Sequence, residues 1–79
     1  MIAGSLLRRQ GMKAGFPDIF IAVPRGAFHG LFIELKVGAN KPTDTQRLMM
    51  ADRMGQSYAG EFCWGADEAI KQIVQYMQL

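Results

Sequence analysis

Two short segments of the sequence combine carboxylates and an amine in a way that suits metal-assisted hydrolysis. Gly15-Phe16-Pro17-Asp18 supplies one carboxylate, and Glu34-Leu35-Lys36 supplies a second carboxylate and the amine. A hard cation such as Mg²⁺ takes oxygen ligands, typically one or two carboxylates together with water and substrate phosphate. An amine beside it can orient or help deprotonate an attacking water, and it can stabilise charge that develops on phosphate. The residue types therefore predict a hydrolytic site if the fold brings Asp18, Glu34 and Lys36 together.

The segment that contains Glu34 alternates in the way that a β-strand does. Leu31, Ile33, Leu35 and Val37 are expected on one face, and Phe32, Glu34 and Lys36 on the other. Because burying either charge unpaired costs several kcal/mol, the charged pair needs an explanation. One interpretation is structural, with the pair on a solvated face or against opposite charges. The other is the metal site, and the pattern alone leaves both open.

The elements that must position these residues are predicted in the order α-β-β-α-β-α. A helix over residues 2–12 precedes a strand over 18–23, which Pro24 closes and which we expect to be buried on both faces. A strand over 31–37 follows after a short loop and should pair with it antiparallel. A third strand over 58–64 should run parallel to the second because a helix connects the two. The prediction is one α/β domain over residues 1–79, with a small mixed β-sheet flanked by helices.

Local signals place the last two helices. Thr43-Asp44-Thr45-Gln46 matches a capping box, so a helix should run from there to about Met54, with Gly55 as its C-cap. Asp67 is the predicted N-cap of the last helix. The side chains predicted to face inward are Leu48, Met50, Ala51 and Met54 in the first of these helices, and Ala69, Ile70, Ile73, Val74 and Met77 in the second.

Size and composition narrow the class of protein. The chain has 79 residues and a single cysteine, Cys63, which excludes an internal disulfide and which we expect in the core. A domain this small often gains stability from a second subunit, so we expect a homodimer. Neither an apolar run of membrane-spanning length nor a secretory signal is evident, and we expect a soluble, intracellular protein with no membrane partner.

The net charge of +2 is unevenly distributed, because residues 1–47 carry seven basic and three acidic side chains. This half favours a polyanionic partner only weakly, and an ordinary solvated surface explains it equally well. The basic side chains predicted to contact phosphate are Arg8, Arg9, Lys13, Arg25 and Lys41.

The motifs resemble those of the virus-type replication-repair nuclease (VRR-NUC) domain, a family of the PD-(D/E)XK nuclease superfamily. The similarity rests on Gly15-Phe16-Pro17-Asp18, on residues 30–36 with their Glu-x-Lys, and on Gln46 early in the next helix, in a matching order of strands and helices. It extends from about Lys13 to the end of the last helix. The resemblance implies a restriction-endonuclease-like core.

The resemblance also implies an activity and a site. Asp18, Glu34 and the main-chain carbonyl of Leu35 would bind Mg²⁺ or Mn²⁺, Lys36 would be the catalytic lysine, and Gln46 would lie at the edge of the active site. The family hydrolyses phosphodiester bonds in DNA. The resemblance to small stand-alone members of the family implies a homodimer that cuts branched DNA such as four-way (Holliday) junctions. Such a protein is expected in the cytoplasm of a bacterial or phage-infected host cell and fits DNA repair.

One departure from the family keeps alternatives open. Family members usually carry another acidic residue on an upstream helix, whereas no acidic residue precedes Asp18 here. A DNA-binding module with an incomplete active site is therefore the second hypothesis, and a non-enzymatic assembly domain is the third. Gln46 is also explained by the capping box alone. His29 is expected at the surface, and Phe62 and Trp64 in the core or at a dimer interface.

Overall fold

A computed structural model describes residues 18–79, over which strands and helices alternate around a small sheet. In chain order they are β1 (Ile19–Ile21), β2 (Leu31–Lys36), α1 (Asp44–Gly55), β3 (Ala59–Trp64) and α2 (Ala66–Met77). The predicted α/β class and the order β-β-α-β-α are confirmed over this range. The helix predicted at residues 2–12 lies outside the described residues. None of the helices within 18–79 has the length and apolar character needed to cross a membrane.

The sheet has the mixed topology that the connections predict. Its strand order is β1-β2-β3, with β1 antiparallel to β2 and β2 parallel to β3. Ile19 pairs with Ile33, which brings Asp18 level with Glu34 at the carboxyl end of β2. Because β2 is the central strand, both of its faces are available for helix packing, and Leu31 through Glu34 are all buried.

Helix α2 covers one face of the sheet and forms the main core. Leu31, Ile33 and Cys63 on this face pack against Ala69 and Tyr76 of α2. Cys63 is only 1% exposed, which confirms its predicted place in the core, and burial raises the pKa of its thiol. The thiol is therefore a packing group.

Helix α1 covers the other face around an aromatic cluster. Phe20 and Phe32 stack with their ring centroids 4.5 Å apart, and Tyr58 meets both rings edge-on. The buried Met50 of α1 lies so close to Gly60 of β3 that a Cβ there would overlap the methionine sulfur. Gly60 therefore lets α1 approach the sheet at this point.

The first strand is shorter and less buried than predicted. It ends at Ile21 because the chain then leaves the ladder: Arg25 and Phe28 exchange backbone hydrogen bonds of 3.1 and 2.9 Å in a tight turn. The carbonyl of Val23 accepts a hydrogen bond of 2.7 Å from the Tyr76 hydroxyl instead of from a strand. Because β1 lies at the edge of the sheet, its residues are half-buried.

The predicted inward faces of both helices were only partly right. Met50 is the one buried residue of α1. In α2, Ala69 is buried and Ile73 is half-buried, as predicted, and Tyr76 is also buried although it was not among the predicted inward residues. A sheet of three strands is too narrow to cover more of either helix. The predicted inward side chains that are exposed are Leu48, Ala51 and Met54 in α1, and Ile70, Val74 and Met77 in α2. Leu35 and Val37 are likewise exposed, where β2 passes beyond α2.

The predicted N-cap of α1 is confirmed, whereas the predicted C-cap of α1 and the predicted N-cap of α2 were wrong. The Thr43 capping box is present, with the Gln46 N–H donating to Thr43 Oγ1 and the Thr43 N–H donating to Gln46 Oε1. Gly55 is not a C-cap but the last helical residue, and the left-handed conformation falls at Ser57, with φ of 69°. The N-cap of α2 is Gly65, at φ of 92°, and Asp67 belongs to the first turn.

Candidate active site

The sheet brings the two carboxylates together at the carboxyl end of β2. The N–H of Asp18 donates to Glu34 Oε2 at 3.1 Å, and the N–H of Leu35 donates to Asp18 Oδ2 at 2.8 Å. These two bonds tie the residue before β1 to the end of β2, across the antiparallel pair. Asp18 is exposed whereas Glu34 is only 5% exposed, so the pair has one open and one buried carboxylate.

Gln46 connects Glu34 to Lys36. Its Nε2 donates to Glu34 Oε1, and its Oε1 accepts from Lys36 Nζ. The same Oε1 accepts the Thr43 N–H at 3.0 Å, so two donors determine which end of the amide faces the lysine. The capping box of α1 therefore orients a side chain inside the site. Gln46 is central to the cluster rather than at its edge.

The environment of Glu34 raises the pKa of its carboxyl group in the metal-free protein. Burial and the nearby carboxylate of Asp18 raise the pKa of Glu34, and the ammonium of Lys36 acts in the opposite direction. Two carboxylates held together, one of them buried, are relieved by a cation between them. A cation held between the two carboxylates would therefore be electrostatically favourable.

The donor set fits a hard divalent metal ion. Within residues 18–79 no donor meets Oδ1 of Asp18, which leaves that exposed oxygen open to a ligand. The same part of the chain holds no group of three or more His, Cys, Asp and Glu side chains arranged for a metal. Two carboxylates, a main-chain carbonyl such as that of Leu35, and water match the ligands of Mg²⁺ better than those of a softer metal.

The predicted phosphate-contacting residues are dispersed. Arg25 lies at the opposite end of the sheet from Asp18, where its guanidinium donates to the carbonyls of Pro24 and Met77 at 2.8 and 3.3 Å. Lys41 is exposed in the connection from β2 to α1, at the same end as the site. The remaining three, Arg8, Arg9 and Lys13, lie outside the described residues.

Two features were not predicted from the sequence: a main-chain group inside the site and an exposed aromatic residue beside it. The Leu35 N–H that holds Asp18 is a main-chain group, and no residue type signals it. Trp64 is level with Lys36 in the register of β2 and β3 and is 40% exposed, so it does not lie in the core. Its position as the last residue of an edge strand was the available signal. His29 is exposed, as predicted.

Comparison with known proteins supports the assignment that the motifs suggested. No protein-family model matches the chain, and no curated protein matches it. A solved structure described as "VRR_NUC domain protein" is similar over 98% of this chain, with a TM-score of 0.81 and 36% sequence identity. The chain spans 64% of that protein's length.

At this identity the likeness extends beyond the general fold, and the elements that it covers are those that carry Asp18, Glu34, Lys36 and Gln46. The mixed sheet with a helix on each face is accordingly a nuclease-like core. The sequence identity and the shared fold together support assignment of this chain as a VRR-NUC domain.

Proposed function

We propose that this nuclease domain is a metal-dependent DNA endonuclease that hydrolyses phosphodiester bonds in branched DNA, such as four-way junctions, as a homodimer. The observation that carries the proposal is the convergence of Asp18, Glu34, Lys36 and Gln46 at one end of the sheet. A bound Mg²⁺ or Mn²⁺ would supply Lewis-acid polarisation of the phosphate and a more acidic water. Asp18, Glu34 and the carbonyl of Leu35 are the groups that would hold it.

Each remaining residue has a distinct part in the proposed mechanism. Lys36 presents an ammonium that offsets negative charge on the phosphate, and it can orient the attacking water or donate a proton to the leaving oxygen. Gln46 restrains that ammonium through Oε1 and restrains the Glu34 carboxylate through Nε2, so the two groups keep a defined spacing. The Leu35 N–H holds Asp18 through Oδ2, and within residues 18–79 no donor meets the other oxygen. The catalytic groups are thus oriented before substrate arrives.

The homodimer is supported by an uncovered apolar stripe on α2. Ile70, Val74 and Met77 follow one another at helical spacing on the side away from the core and are 58%, 49% and 38% exposed. A contiguous apolar stripe on a small domain is typical of a contact surface. Two copies paired through α2 would present two sites, which suits a substrate with two equivalent strands.

Cleavage of defined DNA tests the activity. We expect purified protein with Mg²⁺ or Mn²⁺ to cut a four-way junction faster than a linear duplex of the same sequence. Lys36→Ala should lower the rate at least about 100-fold, the usual contribution of a proton-transferring side chain. Lys71→Ala, which removes an exposed lysine of α2, is the matched control and should cut at the wild-type rate. Failure to cut any DNA form would contradict the proposal.

A second function remains as an outcome of the same experiment. Residues 1–17 contain no acidic side chain, whereas the family resemblance implies a further acidic residue on a helix upstream of Asp18. A DNA-binding module would bind junctions in a salt-sensitive manner, without cleavage and without any effect of metal. Binding that strengthens with Mg²⁺ or Mn²⁺ would exclude this alternative.

The dimer has its own test. Val74→Asp places a charge in the apolar stripe and should convert the protein to a monomer in sedimentation equilibrium. Gln75→Asp adds the same charge one residue along, at an exposed polar position, and should leave the dimer intact. A wild-type protein that sediments as a monomer at micromolar concentration would refute this part of the proposal.

A further inference from the structure

The single tryptophan of the chain is partly exposed and lies level with the candidate catalytic lysine on the neighbouring strand. Trp64 is the register partner of Lys36, so their side chains share one face of neighbouring strands about 4.8 Å apart. Its exposed fraction is 40%, whereas that of Phe32 on the same face is 3%. An exposed aromatic ring therefore borders the site on the side away from Asp18.

The ring is held in place from one edge. The Trp64 Nε1–H donates to the Asn40 carbonyl at 2.8 Å, and the Asn40 N–H donates to the Val37 carbonyl at 3.1 Å, which closes the turn after β2. The Gly65 N–H donates to the Lys36 carbonyl at 3.3 Å and secures the next peptide. The indole thus has its polar atom satisfied and its orientation restrained.

The part of the chain that the structure describes places no stacking partner on this restrained indole. Among residues 18–79 no other aromatic ring and no guanidinium is stacked on Trp64. An aromatic side chain that is already oriented loses little conformational entropy when a planar group stacks on it. The geometry therefore favours a planar ligand at this position.

We propose that Trp64 is a stacking platform for an unpaired nucleobase of the DNA substrate, next to the phosphate at the active site; this rests on the proposed nuclease function. Aromatic rings within a cationic groove are the usual means of binding single-stranded nucleic acid, because every base offers a π-face. Lys36 on one side and Lys41, one residue beyond Asn40, supply the cationic surroundings.

The base must be unpaired because the faces of a paired base are covered by its neighbours in the duplex. A fork with single-stranded arms, or a branch point with an unpaired nucleotide, supplies such a base, whereas an intact linear duplex does not. Stacking on Trp64 would thus contribute to selection of branched DNA without reading its sequence. The contribution expected for one stacked base is roughly 5- to 150-fold in affinity.

The single tryptophan provides its own probe. Whole protein is titrated with forked DNA that has one unpaired thymine at the branch, and with the same fork carrying an abasic residue there. Ca²⁺ replaces Mg²⁺ to hold back cleavage, and a gel confirms that the DNA is intact. Tryptophan emission reports contact with the ring, and anisotropy of a dye on the distant DNA end reports binding independently.

The proposal predicts that thymine-containing DNA quenches Trp64 emission along the same binding curve that anisotropy reports. The abasic fork should bind about 5- to 150-fold more weakly and should not quench. Trp64→Phe should retain most of the affinity, whereas Trp64→Leu should bind both forks equally. The abasic comparison uses the unaltered protein, so a variant that fails to fold does not decide the result.

Three results would overturn the proposal, and they differ in what else they affect. Tight binding by anisotropy with no quench, or with equal quench by both forks, removes the platform and leaves the nuclease function intact. Absence of DNA binding even at low salt contradicts the nuclease function together with the platform. Emission that changes with protein concentration in the absence of DNA assigns the ring to an interface between copies.

Discussion

Replacing Gln46 with methionine should separate the two functions that its side chain serves, since Met keeps its length but neither accepts nor donates here. The substitution removes one hydrogen bond to the Lys36 ammonium and one to the Glu34 carboxylate. Hydrogen bonds to charged groups are typically worth about 1.5–3 kcal/mol each. Because Lys36 and Gln46 are only half-buried and water replaces part of the loss, we take about 1.5–3 kcal/mol for both together.

That energy corresponds to a fall in kcat/KM of about 10- to 150-fold if the restraint is needed in the transition state. Gln46→Met also removes half of the capping box of α1, which should lower the free energy of unfolding by about 1 kcal/mol. For a domain of this size that change lowers Tm by about 4–8 °C.

Thr43→Ala is the matched control, because it removes the other half of the same capping box. Among residues 18–79 the Thr43 hydroxyl accepts one hydrogen bond, from the Gln46 backbone N–H at 3.1 Å. The alanine variant keeps the main-chain N–H that orients the Gln46 amide. We expect a similar fall in Tm and a kcat/KM within about threefold of wild type. Junction cleavage with Mg²⁺ and thermal unfolding measure the two quantities. Equal loss of activity in Gln46→Met and Thr43→Ala would show that Gln46 acts only as a helix cap.

Three further predictions concern stability. Burial and the adjacent carboxylate raise the pKa of Glu34 above 4.5 in the metal-free protein. The contribution of Glu34 to the free energy of unfolding is therefore complete below its unfolded-state pKa and is lost as pH rises through its folded-state pKa. The urea midpoint should fall over this pH window, and it should fall less in Glu34→Gln. Gly30→Ala would place a Cβ 2.7 Å from a backbone carbonyl of β1 and should lower the unfolding free energy by about 1–3 kcal/mol. Gly55→Ala has open space around it in α1 and should raise the unfolding free energy by about 0.5–1 kcal/mol. Equal urea midpoints for the two variants would contradict this prediction. Tyr76→Phe leaves the carbonyl after β1 without its hydroxyl donor and should cost about 1–3 kcal/mol in the same titration, while Tyr58→Phe, whose ring contacts are kept, should cost less.

Prediction from sequence succeeded where the signal is local. The alternation along β2 correctly placed Glu34 and Lys36 on one face with Phe32, and the spacing of Thr43 and Gln46 correctly predicted the capping box. The short connection after residue 23 predicted the antiparallel pair, and that pairing brings Asp18 level with Glu34. Strand period and helix-cap chemistry are rules of a few residues, so they can be read from a single chain.

Prediction was weaker where the outcome depends on the partner of each element. The apolar stripe of α2 contains Ile70 and Val74, but the three-stranded sheet buries Ala69 and Tyr76 instead. Periodicity gives the existence of an apolar face, while the width of the facing sheet decides how much of it is covered. The role of Gln46 between two charged groups was also beyond local rules, because it depends on where α1 begins relative to the end of β2.

Mn²⁺ titration followed by electron paramagnetic resonance measures whether Asp18 and Glu34 form the proposed divalent-metal site. The account predicts saturable binding that tightens as pH rises, because the raised pKa of Glu34 makes a proton compete with the metal. Asp18→Asn and Glu34→Gln should each weaken binding at least about tenfold, in line with loss of a carboxylate ligand. Asp44→Asn, which removes an exposed carboxylate paired with Arg47, should bind Mn²⁺ as the wild type does. Unchanged affinity in the double variant of Asp18 and Glu34 would contradict the account.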